Sequence, residues 1–248
     1  MKPIYFICLF FLVASCKKTD RTLTKITAKN IAVDSTLMAS PEIENIIMPY
    51  KEKLIGEMER VLTYTTIDLT KQSTQMQSTL GNLMADLCVE MANPVFKEKT
   101  ATTIDFAMFN NGGLRASIAA GNVTKESAFK LMPFDNEFVV VNLSGDKVEE
   151  LINYFIRNQS AHPLSKNINL RIKENGYDLK INGEKFDKNK TYAVLTSDYL
   201  QTGGDGMVFF KNPEQLTTLN YKVRDAVIDY FEKSDTLKVS IDNRVTIE

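Results

Sequence analysis

Two short stretches gather the residue types that could do chemistry: Asn110-Asn111-Gly112-Gly113-Leu114-Arg115 and, well downstream, Asp198-Tyr199-Leu200-Gln201-Thr202-Gly203-Gly204-Asp205-Gly206. Each sets a glycine pair beside a charged side chain. Lacking a Cβ, Gly112-Gly113 and Gly203-Gly204 let the backbone turn at positive φ and come close to a ligand. An arginine and an aspartate held beside such turns suit an anionic small molecule that carries hydroxyl groups. That chemistry is the recognition of a nucleotide or a sugar phosphate.

Strands and helices must carry these turns, and the hydrophobic periodicity predicts which. The apolar run Thr103 to Phe109 delivers the chain to the first glycine pair. The stretch Tyr192 to Thr196 reads as the strand that delivers the second. Glu137 to Leu143 is a strongly aliphatic strand. Ser144 then caps a helix in which Val148, Leu151, Ile152 and Phe155 follow the helical spacing. Upstream, Ser40-Pro41 opens a helix whose Ile43, Ile46, Ile47, Leu54 and Met58 are expected to face a core. Leu62 to Leu69 reads as a strand, Lys71 to Thr79 as a polar loop, and Leu80 to Ala92 as a helix stopping before Pro94.

Thr124 to Leu131 is expected as a short helix broken by Pro133-Phe134. Asn167 to Lys173 and Tyr177 to Ile181 read as neighbouring strands, and Asn182-Gly183 as a hairpin turn leading to Tyr192 to Thr196. Met207 to Phe210 reads as a strand, Leu219 to Phe231 as a helix, and Lys238 to Thr246 as an alternating strand. Tight turns between strands require antiparallel neighbours, so the pattern predicts an α+β domain with a mixed, largely antiparallel sheet packed with helices. A doubly wound sheet is the lesser option.

The chain has 248 residues, 44% hydrophobic and 25% charged, the profile of an ordinary globular protein. Thirty basic against thirty-one acidic residues leave a net charge of -1, which excludes the basic footprint of a nucleic-acid polymer binder. At the N-terminus, Met1-Lys2, the apolar run Ile4 to Val13 and Ala14-Ser15-Cys16 read as a signal peptide over 1–15 with a lipobox that makes Cys16 the lipidation site. The bland alternative is a plain secretory signal. Residues 16–39 then form the lipidated cysteine and a polar tether, and 40–248 the folded domain. With Cys8 in the signal and Cys16 acylated, Cys88 is left alone, without a disulfide framework, as a small buried hydrophobe.

In order and spacing, Asn110 to Arg115, Pro133-Phe134 and Asp198 to Gly206 resemble the C-terminal domain of the 5′-nucleotidase family, which includes UDP-sugar hydrolases. Leu80-Gly81-Asn82-Leu83-Met84-Ala85-Asp86 and the hairpin from Asn182-Gly183 to Tyr192 add to the likeness, which covers roughly Tyr64 to Phe210. The resemblance implies that Phe134 and Tyr199 sandwich a base, that Asp205 grips the ribose hydroxyls, that Arg115 faces the phosphate and that Asn110 touches the base. Gly112, Gly113, Gly203 and Gly204 would give the backbone its close approach. Each has a plainer alternative: Phe134 as a core anchor, Tyr199 as a loop residue, Asp205 and Asn110 as turn residues, and Arg115 as a partner for a surface carboxylate.

Two departures shape the functional expectation. Full-length members of the family carry a two-metal phosphatase domain rich in histidine, whereas His162 is the one histidine here and reads as solvated in a polar loop. The segment Ser73 to Ser78 also lacks the arginines the family often places near the phosphate. No catalytic residue, metal ligand or cofactor is therefore expected in this chain. The leading expectation is the nucleotide-recognition component of an extracytoplasmic 5′-nucleotidase serving nucleotide catabolism. Divalent metals and hydrolysis would belong to a separately encoded metallophosphatase chain. The alternatives are a stand-alone nucleoside- or nucleotide-binding surface lipoprotein, and a scaffold in which the motifs survive only as turns.

Overall fold

The computed structural model describes residues 23–248, so the expected signal peptide, Cys16 and the first part of the tether lie outside the described residues. Residues 23–48 and 49–248 are separate units. In the first, residues 23–40 carry a turn in which the Asp34 carboxylate accepts from the amide and hydroxyl of Thr36. Helix α1 (Pro41–Glu59) buries no side chain along its length. The expectation that Ile43, Ile46, Ile47 and Leu54 face a core is therefore wrong, since all four are exposed. Periodicity specifies the helix but not what its apolar stripe meets.

From there the chain runs through β1 (Val61–Thr65), α2 (Thr79–Thr100), β2 (Phe106–Ala107), β3 (Gly121–Thr124), α3 (Lys125–Leu131), β4 (Glu137–Ser144) and α4 (Gly145–Asn158). It continues through β5 (Ile168–Lys173), β6 (Gly176–Ile181), β7 (Glu184–Lys185), β8 (Thr191–Ser197) and α5 (Asp198–Gln201). It closes with β9 (Gln215–Lys222), α6 (Val223–Lys233), β10 (Thr236–Leu237) and β11 (Val245–Ile247). The α+β class holds, with the strands divided among three mixed sheets of order β10-β1-β3, β11-β5-β6-β7 and β2-β8-β4-β9. One hydrophobic core joins α2, α4 and the β4–β8 pair. Val148, Leu151, Ile152 and Phe155 are all fully buried along the inner face of α4, as their spacing requires. Cys88, on α2, is free and buried in the same core.

Several elements differ from expectation for identifiable reasons. The strand at Leu62 to Leu69 ends at Thr65, and Leu69 instead bridges Ile118. Helix α2 runs through Pro94 because Ala92 and Phe96 on either side are buried, and that burial outweighs the hydrogen bond proline cannot make. Asn182 (φ 53°) and Gly183 (φ 81°) form the expected tight turn, but it closes onto β7, not onto Tyr192 to Thr196. Met207 to Phe210 is no strand: it holds a 3-10 turn, Val208–Phe210, with Phe209 and Phe210 packed inward. Residues 215–222 form a strand that takes in the expected start of the last helix, which begins only at Val223. The alternating segment Lys238 to Thr246 yields β11 alone, paired parallel to β5.

Candidate functional site

The sheet β2-β8-β4-β9 explains why residues far apart in sequence meet. β2 and β8 are parallel neighbours in register Phe106↔Val194 and Ala107↔Leu195, so the loops that follow them leave from the same end. β4 runs antiparallel to β8 with Phe138 opposite Ser197, so the segment preceding β4 reaches that end too. These three exits carry Asn110 to Arg115, Tyr199 to Asp205, and Pro133 to Asn136. They wall a cleft of about 320 Å³ lined by Asn110, Gly112, Gly113, Arg115, Phe134, Asn136, Tyr199 and Asp205, with Met84, Phe109, Leu114, Met132 and Val223 among its apolar walls. Asn110, Arg115, Phe134, Tyr199 and Asp205 thus lie on one surface with Gly112 and Gly113, whereas Gly203 and Gly204, expected to give the backbone close approach, are not among the residues lining the cleft. A crevice beyond the strand ends, mostly apolar with a few convergent polar groups, has the general form of a small-molecule site.

A hydrogen-bond network shapes the polar wall. Asp205 Oδ2 accepts from Asn110 Nδ2 at 2.7 Å and Asp205 Oδ1 accepts from the Tyr199 hydroxyl at 2.8 Å. Asp205 itself stands at φ 52°, in the left-handed region, and is followed by Gly206 at φ 74°, while Gly203 two residues earlier turns at φ 92°. A Cβ on Gly113 would sit 2.7 Å from Asn110 Oδ1, so glycine there leaves Asn110 room to reach the acid. Both donors to Asp205 are neutral and each carboxylate oxygen has a further lone pair, so the acid keeps capacity for two hydroxyl donors. The same bond and the carboxylate's charge push the Tyr199 phenol up, holding it protonated as a donor.

Phe134 and Tyr199 are 45% and 46% exposed, so neither is a core anchor, and both line the cleft. Arg115 donates to the Gly112 carbonyl at 3.2 Å, and its guanidinium lies 5.9 Å from the Phe134 ring centroid. No carboxylate of the described residues forms a salt bridge with it, and it is the sole cation on the cleft wall.

Sequence reasoning missed the residues that hold these walls from behind. Lys71 Nζ donates to the carbonyls of Asn111 (3.1 Å) and Leu114 (2.8 Å), clasping the first glycine turn. Arg224 donates to the carbonyls of Pro133 (3.0 Å) and Phe134 (3.4 Å) and pairs with Asp135, fixing the segment that presents Phe134. The Tyr154 hydroxyl donates to the Asp205 carbonyl at 2.8 Å, and Asn136 Nδ2 to Asp198 Oδ1 at 2.8 Å. None of these carried a local signal, because each acts across the fold on a group distant in sequence. His162 corrects an expectation outright: it is buried, not solvated, and its Nδ1 accepts from the Asn111 amide at 3.2 Å.

Among the described residues no group of three or more His, Cys, Asp or Glu side chains could hold a metal ion, and no helix is long and apolar enough to cross a membrane. The arrangement presents two aromatic rings, a carboxylate and a guanidinium to one cleft.

Comparison with known proteins gives this geometry a context. Residues 55–212 match the family described as 5′-nucleotidase, C-terminal domain. Protein UshA of Escherichia coli (strain K12) is 31% identical over 144 residues, which are 56% of this chain and 26% of UshA. The 5′-nucleotidase-related protein of Glossina morsitans morsitans is 24% identical over 88% of this chain and 43% of its own length. Among solved structures, the 5′-nucleotidase precursor of Thermus thermophilus superimposes with a TM-score of 0.65 at 18% identity, covering 82% of this chain and 42% of that one. The chain thus spans less than half the length of these relatives.

Proposed function

Because the chain belongs to the 5′-nucleotidase family through its C-terminal domain, we propose that it is the nucleotide-recognition component of an extracytoplasmic 5′-nucleotidase, with hydrolysis performed by a separate metallophosphatase chain. The carrying observation is the convergence of Phe134, Tyr199, Asp205, Asn110 and Arg115 on one cleft in a sequence with a single histidine. The rings take the two faces of a base, Asp205 takes the ribose hydroxyls, and Arg115 meets the phosphate. Holding the nucleotide so contributes positioning, which lowers the barrier without chemistry of its own. The metals of a two-metal hydrolase activate water and neutralise the phosphate's developing charge. The described residues do not fit such ions, so we assign them to the partner chain. We also propose that residues 1–15 direct export and that Cys16 is lipidated, tethering the domain to the membrane through residues 16–39.

Purified protein should bind nucleosides and nucleotides by calorimetry and release no phosphate alone, with turnover appearing when an exported metallophosphatase chain is added. Metal-dependent turnover by this chain alone overturns the division of labour. One observation favours the second reading, a stand-alone nucleoside-binding lipoprotein: among the described residues, Arg115 is the sole cation lining the cleft. That reading requires no gain in affinity from nucleoside to nucleotide and no partner-dependent hydrolysis. Incorporation of a labelled fatty acid, lost in Cys16→Ser, tests the anchor.

A further inference from the structure

The histidine behind the cleft does more than fill space. Its Nδ1 is the acceptor for the amide of Asn111, the first residue of the 3-10 turn Asn111–Gly113. Asn110 and Gly112 on either side of that amide line the cleft. An imidazole nitrogen accepts only when it carries no proton, so this bond requires the neutral ring with its proton on Nε2. The ring is 8% exposed and packs against Tyr154 (centroids 5.7 Å apart) and Phe155 (6.4 Å), both on α4. Tyr154 in turn bonds the carbonyl of Asp205. The imidazole therefore touches the first glycine turn directly and the second through one side chain.

We infer that His162 is a positioning residue for the binding turn, and that protonation of its Nδ1 releases the turn and weakens nucleoside binding. The inference rests on reading the cleft as a nucleoside site. Protonation makes both ring nitrogens donors, so an N–H would face the Asn111 N–H across a gap built for a hydrogen bond, and the turn must move or the ring must swing out. The groups facing His162 are few. From α4 come the Tyr154 phenol and the apolar Phe155 ring, from the first turn the neutral Asn111 amide, and from the second turn the Asp205 carboxylate, the charge that acts on it. Burial lowers the imidazole pKa and the Asp205 charge opposes that, with burial the larger effect. The ring is thus neutral at neutral pH, and the turn is set there.

A ligand that binds the neutral-histidine form loses affinity as pH falls and gains none as it rises above neutrality. An imidazole at the ordinary value of about 6.5 would leave about one molecule in thirty neutral at about pH 5, so the loss between neutral pH and pH 5 stays below about 30-fold. Nucleosides are the right probe, because a phosphate titrates in the same range.

The test uses the protein's single histidine, whose imidazole can be followed by NMR without assignment ambiguity. Wild-type protein is titrated from about pH 7.5 to 4.5 while the His162 ring signals and the Asn111 amide are monitored, and adenosine and uridine affinities are measured by calorimetry at both ends of the range. The expected result is that the Asn111 amide shifts and exchanges faster in step with ring protonation, while affinity falls. His162→Asn places a side-chain oxygen near the Nδ1 position and keeps an acceptor that does not titrate, so it should bind at neutral pH and show a flat pH profile. An Asn111 amide indifferent to ring protonation, a ring that never titrates in the range, or a wild-type pH slope in His162→Asn overturns the inference. Absence of nucleoside binding at any pH refutes the proposed function instead, and the Asn111 amide still decides the coupling.

Discussion

Replacing Gly204 with alanine tests whether the Tyr199 ring is a wall of the binding site. A Cβ built on Gly204 falls 2.5 Å from Cε1 and Cζ of Tyr199 and 2.8 Å from Cδ1, about 1 Å inside ordinary carbon–carbon contact. Gly204 does not stand at positive φ, so alanine adds no backbone strain and the change is purely one of space. Tyr199 is 46% exposed and has room to swing outward, so the ring yields before the backbone does. A withdrawal of that size stretches the 2.8 Å bond from the Tyr199 hydroxyl to Asp205 beyond hydrogen-bonding range, and the base loses one stacking face. Loss of one base stack corresponds to about a 5- to 150-fold weaker dissociation constant. Calorimetry with a nucleoside reads this directly, with circular dichroism showing the fold unchanged. Gly56→Ala is the control, since Gly56 lies on α1, outside the cleft lining, and a Cβ there would meet nothing within 4 Å. Unchanged affinity in Gly204→Ala would refute the argument that Tyr199 stacks on the ligand.

Arg115→Gln should leave nucleoside affinity within about twofold and weaken nucleotide affinity about 10-fold or more, because a charge-assisted bond to phosphate is lost while the stack stays; calorimetry with matched nucleoside and nucleotide separates the two. Arg224→Ala frees the Pro133 and Phe134 carbonyls, so nucleoside affinity should drop though Arg224 does not line the cleft. Arg244→Met removes a guanidinium, 3% exposed, that pairs with Asp86 and Asp242 and donates to the Leu164 carbonyl. Both carboxylates are partly solvated, which puts the destabilisation at about 2 to 4 kcal/mol, or a Tm lower by several degrees in a thermal melt. Arg244 also holds the Asp242 carboxyl below the usual carboxylate range, although burial pushes it the other way. The unfolded chain then binds more protons than the folded one across that interval. Stability from this pair is present above the unfolded value of about 3.9 and is lost as pH falls through the folded one, and Arg244→Met should flatten that part of the acid profile.

How much of this was legible in the sequence depended on whether the signal was local. The face of α4 was readable because Val148, Leu151, Ile152 and Phe155 are buried in the order their spacing requires. The glycine motifs were readable only in part: Gly203 stands at positive φ (92°), but Gly112, Gly113 and Gly204 do not, and Gly113 and Gly204 are needed instead for the space a Cβ would take from Asn110 and Tyr199. Strand β9 was not: only Leu219 along it is buried, so it shows no alternation, and Leu219, Val223 and Val227 imitate a helical stripe. The continuation of α2 past Pro94 has no local signal, because the burial that carries it comes from residues distant in sequence. The apolar stripe of α1 shows the converse error, since periodicity reports a helix face and says nothing of what covers it.

The same distinction runs through the site. The groups proposed to touch a ligand sit in motifs, and a motif is visible because its members are neighbours. The groups that hold those motifs, Lys71, Tyr154, His162 and Arg224, each reach a backbone carbonyl or amide from another element. Such a bond constrains neither residue's neighbours and leaves no pattern. Yet a cleft whose walls are three separate loops depends on these ties, because each loop could otherwise relax independently and ordering all three would count against binding. Cutting a tie behind the cleft should therefore weaken nucleoside binding as surely as removing a ring that faces it.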